Sequence, residues 1–193
     1  SNGMTMRAET AEAFTRMYND MLKDGVTSCN VISAYRSYSY QQYLVDSKVE
    51  QRMANGMSYQ SAYNQVTVST APAGASEHQL GLALDLSTSS NSSQNFAKTA
   101  AGKWIAQHGW KYGFIRRYDG SKSSLTGIIN EAWHFRYVGV PHAQIMVENN
   151  WCMEEYITYL QKNGSYTLSN EETTYCVYWT QDESATYKNM IDI

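Results

Sequence analysis

The stretch SEHQLGLALDL occupies residues 76–86. Within it Leu82, Leu84 and Leu86 alternate with Ala83 and Asp85. That is the period of a β-strand, so the leucines take the core face and Ala83, Asp85 and Ser87 take the other. His78 precedes the strand, and Gly81 lets the chain turn between the histidine and the strand. Residues 133–138 repeat the pattern: Trp133, Phe135 and Tyr137 alternate with His134, Arg136 and Val138. Two strands therefore each offer an apolar face to a core, and each carries a carboxylate or imidazole on the face turned away from it.

The rest of the chain surrounds these strands with mixed elements. Residues 5–24 read as an amphipathic helix, with Ala11, Phe14, Met17, Tyr18, Met21 and Leu22 at helical spacing and Gly25 as its stop. A short strand is expected at 31–35, a helix at 40–53 ended by Asn55-Gly56, and a short helix at 58–65. Residues 70–76 form a loop of small residues. Residues 87–93 are a polar loop in which five of seven residues are serine. A helix is expected at 95–108, a strand at 112–117, a turn-rich loop at 119–126 and a final helix at 142–162. Residues 166–179 are β-rich. Helices and strands do not alternate regularly, so the fold class is α+β, with a mainly antiparallel central sheet flanked by helices. One domain spans 5–162, with 163–193 as a C-terminal β-rich extension packed on it. Residues 1–4 are set apart, because Ser1-Asn2-Gly3 reads as a scar of tag removal.

Bulk composition narrows the function classes. The chain has 193 residues, 42% hydrophobic and 17% charged, with a net charge of −3, enough for one well-formed core. Phosphate contacts need a clustered basic patch, and Arg116-Arg117 is too small to be one, so nucleic acid is excluded as a partner. Sixteen tyrosines stand against two prolines, which suits extended structure and amphipathic surfaces. Three cysteines, Cys29, Cys152 and Cys176, give neither a disulfide framework nor a paired metal motif. They are expected as free thiols, with Cys152 and Cys176 the candidate bridge in an oxidising compartment. No apolar run reaches the roughly 18 residues of a membrane span.

His78, Asp85 and His134 supply two imidazoles and one carboxylate. With a fourth position left open, that is the ligand set of a catalytic zinc, whereas a structural zinc is closed, usually by cysteines. Glu131 lies three residues before His134, where a general base can stand beside a metal without occupying it. Each residue also has an ordinary reading. A histidine is often a satisfied hydrogen-bonding residue, an aspartate on a strand is often at the surface, and Glu-x-x-His arises by chance.

Three segments, taken in order, carry more. AYRSYSYQQ contains YRSxxxQ, SEHQLGLALDL contains SxHxxGxAxD, and NEAWHFRYVG contains ExWHxRYVG. Together with KWIAQHGWKYGFIRRY and ENNWCMEEYI they resemble the VanY-type D-alanyl-D-alanine carboxypeptidases, zinc metallopeptidases of peptidoglycan, over roughly residues 28–160. The resemblance implies the zinc D,D-peptidase (hedgehog-like) fold, with 5–162 as the catalytic domain. It implies zinc held by His78, Asp85 and His134, and Glu131 as catalytic base and later acid. Arg36 would meet the substrate's terminal carboxylate or the developing oxyanion. Ser76 and Gln41 would line the site and bond the substrate or the loop carrying His78, and Trp133 would pack under the ligands. Two positions depart from the family pattern, Ala132 and Asp119, where proline is common; neither is a ligand or the base. The implied activity is removal of C-terminal D-alanine from peptidoglycan stem peptides. Alternatives are L,D-carboxypeptidase action on tetrapeptides, a D-Ala-D-Ala dipeptidase or an endopeptidase of the same fold, and a wall-peptide binding module without catalysis. A substrate outside the cytoplasm implies an exported or membrane-anchored, extracellular protein, expected as a monomer.

Overall fold

In the computed structural model, residues 3–88, 93–169 and 173–181 are described. Four antiparallel strands make the central sheet: β1 (Asn30–Ser33), β2 (Ala83–Ser87), β3 (Phe114–Tyr118) and β4 (Glu131–Tyr137), in the order β1-β2-β4-β3. The helices are α1 (Ala8–Lys23), α2 (Tyr38–Ala54), α3 (Tyr59–Thr67), α4 (Ala100–His108), the single turn α5 (Ser123–Thr126), α6 (Val140–Glu148) and α7 (Met153–Asn163). A hairpin of β5 (Ser165–Ser169) and β6 (Thr174–Tyr178) follows.

The leucine face of β2 does what its pattern requires. Leu84 and Leu86 are fully buried, and with Phe135 of β4 and Phe114 of β3 they pack on Ala13, Met17 and Met21 of α1 and Trp104 and Ile105 of α4. Leu82 is half-buried and lies just ahead of the strand. The opposite face of β2 is covered as well: Ala83 and Asp85 are buried, so the aspartate is a buried carboxylate rather than a surface charge. Ile115 begins a second cluster with Ala143, Ile145 and Met146 of α6 and Tyr156 and Leu160 of α7. Leu168 of β5 joins that cluster, which fastens the C-terminal hairpin to α7. A third, small cluster joins α2 to α3 through Val45, Val49, Ala62 and Val66.

Three expectations are corrected. The helix expected over 95–108 is two elements, a 3-10 helix (Ser93–Lys98) and α4, separated at Thr99. Thr99 caps α4 by accepting from Gly102 N at 3.0 Å while its hydroxyl donates to Phe96 O at 2.7 Å. The helix expected over 142–162 is α6 and α7. Asn150 between them takes φ 54°, a left-handed conformation that asparagine tolerates, and Cys152 with Glu155 forms a capping box for α7. The turn-rich stretch 119–126 is a 3-10 turn followed by α5. All three cysteines are free thiols, Cys29 buried and Cys176 exposed, so Cys152 and Cys176 are not bridged. The polar loop at 87–93 lies largely outside the described residues, as do residues 1–2 and the end of the extension beyond 181.

Candidate metal centre and active site

Strand register brings the key side chains together. β2 and β4 pair so that Asp85 lies directly across from His134. His78 sits in the 3-10 turn Glu77–Leu80 that feeds β2, and Gly81 closes that turn with φ 68°. A side chain at Gly81 would also press on the Arg7 backbone at 3.0 Å, so glycine is needed for both conformation and space. His78, Asp85 and His134 are all buried, and one ligand atom from each lies within 4.8 Å of the others.

The two distances to the Asp85 carboxylate, one to each of its oxygens, are of the size a four-coordinate metal requires. His78 Nε2 is 3.3 Å from Asp85 Oδ2, and His134 Nδ1 is 3.1 Å from Asp85 Oδ1. Ligands about 2.0–2.1 Å from a tetrahedral zinc stand roughly 3.3 Å from one another. His78 Nε2 is fully buried and has no hydrogen-bond partner of acceptable geometry, the orphaned atom a metal would satisfy. The other nitrogen of that ring, Nδ1, is engaged with Ala34 O at 2.6 Å, which turns Nε2 toward the site. The two imidazoles meet edge to face, with centroids 5.0 Å apart.

Glu131 reaches this group through an irregularity in its strand. Residues three apart on a regular strand point to opposite faces. Here Arg116 pairs with Phe135 and Tyr118 with Glu131, so β4 advances four residues while β3 advances two. This bulge rotates Glu131 to the His134 face, leaving its Oε2 3.7 Å from His134 Nδ1. Glu131 is 5% exposed, and its carboxyl is pushed up to about 7, first by burial and then by the neighbouring Asp85 charge, against the pull of His134, Arg36 and Lys48. The Asp85 carboxyl is driven well down: burial opposes ionisation, but its bonds to His134 and His78 outweigh that cost. Burial also acts against a charged His134, yet Asp85 and Glu77 bring it up to about 9. A metal at Nδ1 would displace that proton.

Arg36 is fastened rather than free. Its Nη2 donates to Asp85 Oδ2 at 2.5 Å, its Nε to Ser33 Oγ at 2.9 Å and its Nη1 to Gln41 Oε1 at 3.2 Å. Gln41 is fully buried and does not line the cavity. Its amide nitrogen donates to Ala71 O at 2.7 Å, tying α2 to the loop that leads to His78. Ser76 and Trp133 do line the cavity, of about 340 Å³, together with the ligand candidates and Glu131. Trp133 also packs against the main core.

The sequence reading missed Glu77, the residue beside His78. Glu77 Oε2 is 3.4 Å from His134 Nε2, on the ring edge opposite the ligand atom. Glu77 Oε1 accepts from Arg117 Nε at 2.8 Å and pairs with Arg136 Nη1 at 3.2 Å. Burial raises the Glu77 carboxyl, but His134 and the two arginines bring it down to about 2. Arg117 continues to Glu154 of α7 with bonds of 2.9 and 2.5 Å. The only prior signal was that Glu77 stands inside the motif; its partners are 40 or more residues away. Lys48 of α2 was also passed over, and it lines the same cavity.

A sequence profile of the VanY D-alanyl-D-alanine carboxypeptidases matches residues 3–140. A D-alanyl-D-alanine carboxypeptidase of Enterococcus faecium is 38% identical over 90% of this chain and 51% of its own length. The chain thus spans about half the length of the curated relatives it matches. Among solved structures, the vancomycin-resistance D,D-pentapeptidase VanY in complex with Zn(II) is 33% identical, with a TM-score of 0.72 over 81% of this chain and 86% of that one. The L,D-carboxypeptidase LdcB is 35% identical, with a TM-score of 0.70 over 79% of this chain and 68% of that one. On its sequence, its strand order and the residues its sheet brings together, this chain belongs to the VanY D-alanyl-D-alanine carboxypeptidase family.

Proposed function

We propose that this chain is a zinc-dependent carboxypeptidase that removes the C-terminal D-alanine from peptidoglycan stem peptides ending in D-Ala-D-Ala. The observation that carries this reading is the convergence of His78 Nε2, Asp85 and His134 Nδ1, with buried Glu131 beside them in one open cavity. Those three side chains would hold the zinc. When bound, zinc polarises the scissile carbonyl and acidifies water. Glu131 takes the proton from the attacking water and returns it to the leaving amine of D-alanine. Arg36, held against Asp85, presents its remaining N–H groups to the oxygen on which negative charge develops. Glu77 holds the His134 ring by its far nitrogen. Ser76 and Trp133 shape the cavity, and Gln41 orients Arg36. Residues 5–162 form the catalytic unit, with the hairpin beyond 163 packed on it, and the protein works as a monomer. Among the described residues no helix is long and apolar enough to cross a membrane. A wall substrate favours an exported or anchored, extracellular protein.

The likeness to an L,D-carboxypeptidase at 35% identity supports a second reading, removal of D-alanine from tetrapeptide stems by the same machinery. Mass spectrometry of zinc-loaded protein incubated with a pentapeptide ending in D-Ala-D-Ala, and separately with the matching tetrapeptide, separates the two. Loss of one alanine from the pentapeptide alone is the expected result. Loss from the tetrapeptide alone selects the second reading, and no loss from either contradicts both.

A further inference from the structure

The cavity contains a second cation with a different set of commitments from Arg36. Lys48 lies on the face of α2 that also presents Tyr40 and Leu44 to the cavity, at successive helical turns. Its Nζ donates to Thr70 Oγ1 at 2.7 Å. Thr70 is 5% exposed and is fixed by its own backbone bond to Val66 O at 2.9 Å. An ammonium has three N–H donors, so one is used and two remain. Among the described residues Lys48 has no ion-pair partner. Partial burial and the repulsion of Arg36 and Arg52 act against its charge, while Glu131 and Asp85 attract it at longer range, so the charges of the reacting centre reach it. Lys48 as a whole keeps solvent access, as a group awaiting an incoming anion must.

The proposed substrate brings such an anion. A carboxypeptidase substrate ends in a free carboxylate one residue beyond the scissile bond. Bond lengths put that carboxylate carbon about 3–4 Å from the scissile carbonyl carbon. Its receptor must therefore share the cavity with Glu131. Arg36 is bound through three nitrogens to Ser33, Gln41 and Asp85 and is aimed at the metal ligand. Lys48 is the cation left for the far end of the leaving residue.

We propose that Lys48, steadied by the buried Thr70 hydroxyl, is the receptor for the substrate's terminal carboxylate and selects free C-terminal ends. This rests on the carboxypeptidase reading above. Pairing in a partly desolvated cavity strengthens the attraction, and an amidated or extended end would leave the ammonium without its counter-charge.

The test compares one peptide ending in D-Ala-D-Ala as the free acid and as the C-terminal amide, with release of D-alanine or D-alaninamide followed by mass spectrometry. The wild type should prefer the acid. Lys48→Met should raise KM for the acid about 10- to 100-fold, the worth of one charged hydrogen bond. Its kcat should change far less, so the acid-to-amide ratio of kcat/KM should fall by a similar factor. Lys48→Arg should restore most of the preference. Thr70→Val should raise KM for the acid more mildly, and it answers the question if Lys48→Met does not fold. Melting temperature and zinc content of each variant should match the wild type. An unchanged KM for the acid in Lys48→Met, or acid and amide falling together, would overturn the proposal while leaving the enzyme reading intact. A wild type that cleaves neither peptide contradicts the D,D-carboxypeptidase reading and this proposal with it.

Discussion

At the residue scale, ligand candidates, candidate base and supporting groups are distinct side chains. Glu131 is buried beside the ligand candidates without being one of them. Glu131→Gln should keep stoichiometric zinc, measured by elemental analysis, and lower kcat by about 100- to 10,000-fold. A base must be deprotonated to act, so activity rises with pH through its pKa. That value is about 7 with the site's protein charges alone. A nearby dication draws it lower, so the acid limb of kcat/KM should fall below pH 7. Glu77 supports rather than ligates. Glu77→Gln should weaken zinc binding about 10- to 100-fold in a chelator competition, because the His134 ring loses its charged partner. The ligand candidates and the candidate base were legible because each stands in an ordered motif, Asp85, His134 and Glu131 on readable strands and His78 in the turn that feeds one. Glu77 was not, because its role depends on Arg117, Arg136 and Glu154, which only the folded chain brings near.

At the element scale, strand alternation on β2 and β4 was readable because one face of each strand packs on the main core. The reach of Glu131 to His134 was not, because an extra advance in β4 breaks the alternation and sequence carries no mark of it. Helix ends were missed for a related reason. Thr99 and Asn150 are ordinary residues within helical patterns, and only their capping bond or left-handed φ reveals the breaks. The 3-10 helix ahead of α4 is pressed so closely on it that a β-carbon at Gly102 would collide with the carbonyl of Phe96. Backbone cannot yield as a side-chain tip can. Gly102→Ala should therefore destabilise the protein by more than about 2 kcal/mol in urea unfolding, despite alanine's better helix propensity. An unchanged midpoint would mean that the two elements separate easily.

At the scale of the whole molecule, one sheet divides the labour. One face, through Leu84, Leu86 and Phe135, builds the core with α1 and α4. The other carries Asp85 and His134 beneath a cavity walled by α2 and the 70–76 loop. The pair Arg117–Glu154 ties α7 to the residue that holds His134, so the C-terminal helix and the site are mechanically linked. The α+β class and antiparallel sheet followed from pattern alone, whereas the strand order β1-β2-β4-β3 depends on long-range pairing that no local signal encodes. The proposed chemistry depends on the metal centre. Its most direct measurement is anomalous diffraction at the zinc edge from crystals of zinc-loaded protein. One strong peak is expected about 2.0–2.2 Å from His78 Nε2, Asp85 and His134 Nδ1, with Glu131 outside the ligand distance. A peak that lacks any of those three ligands, or that takes Glu131 as one, would contradict the proposed metal centre.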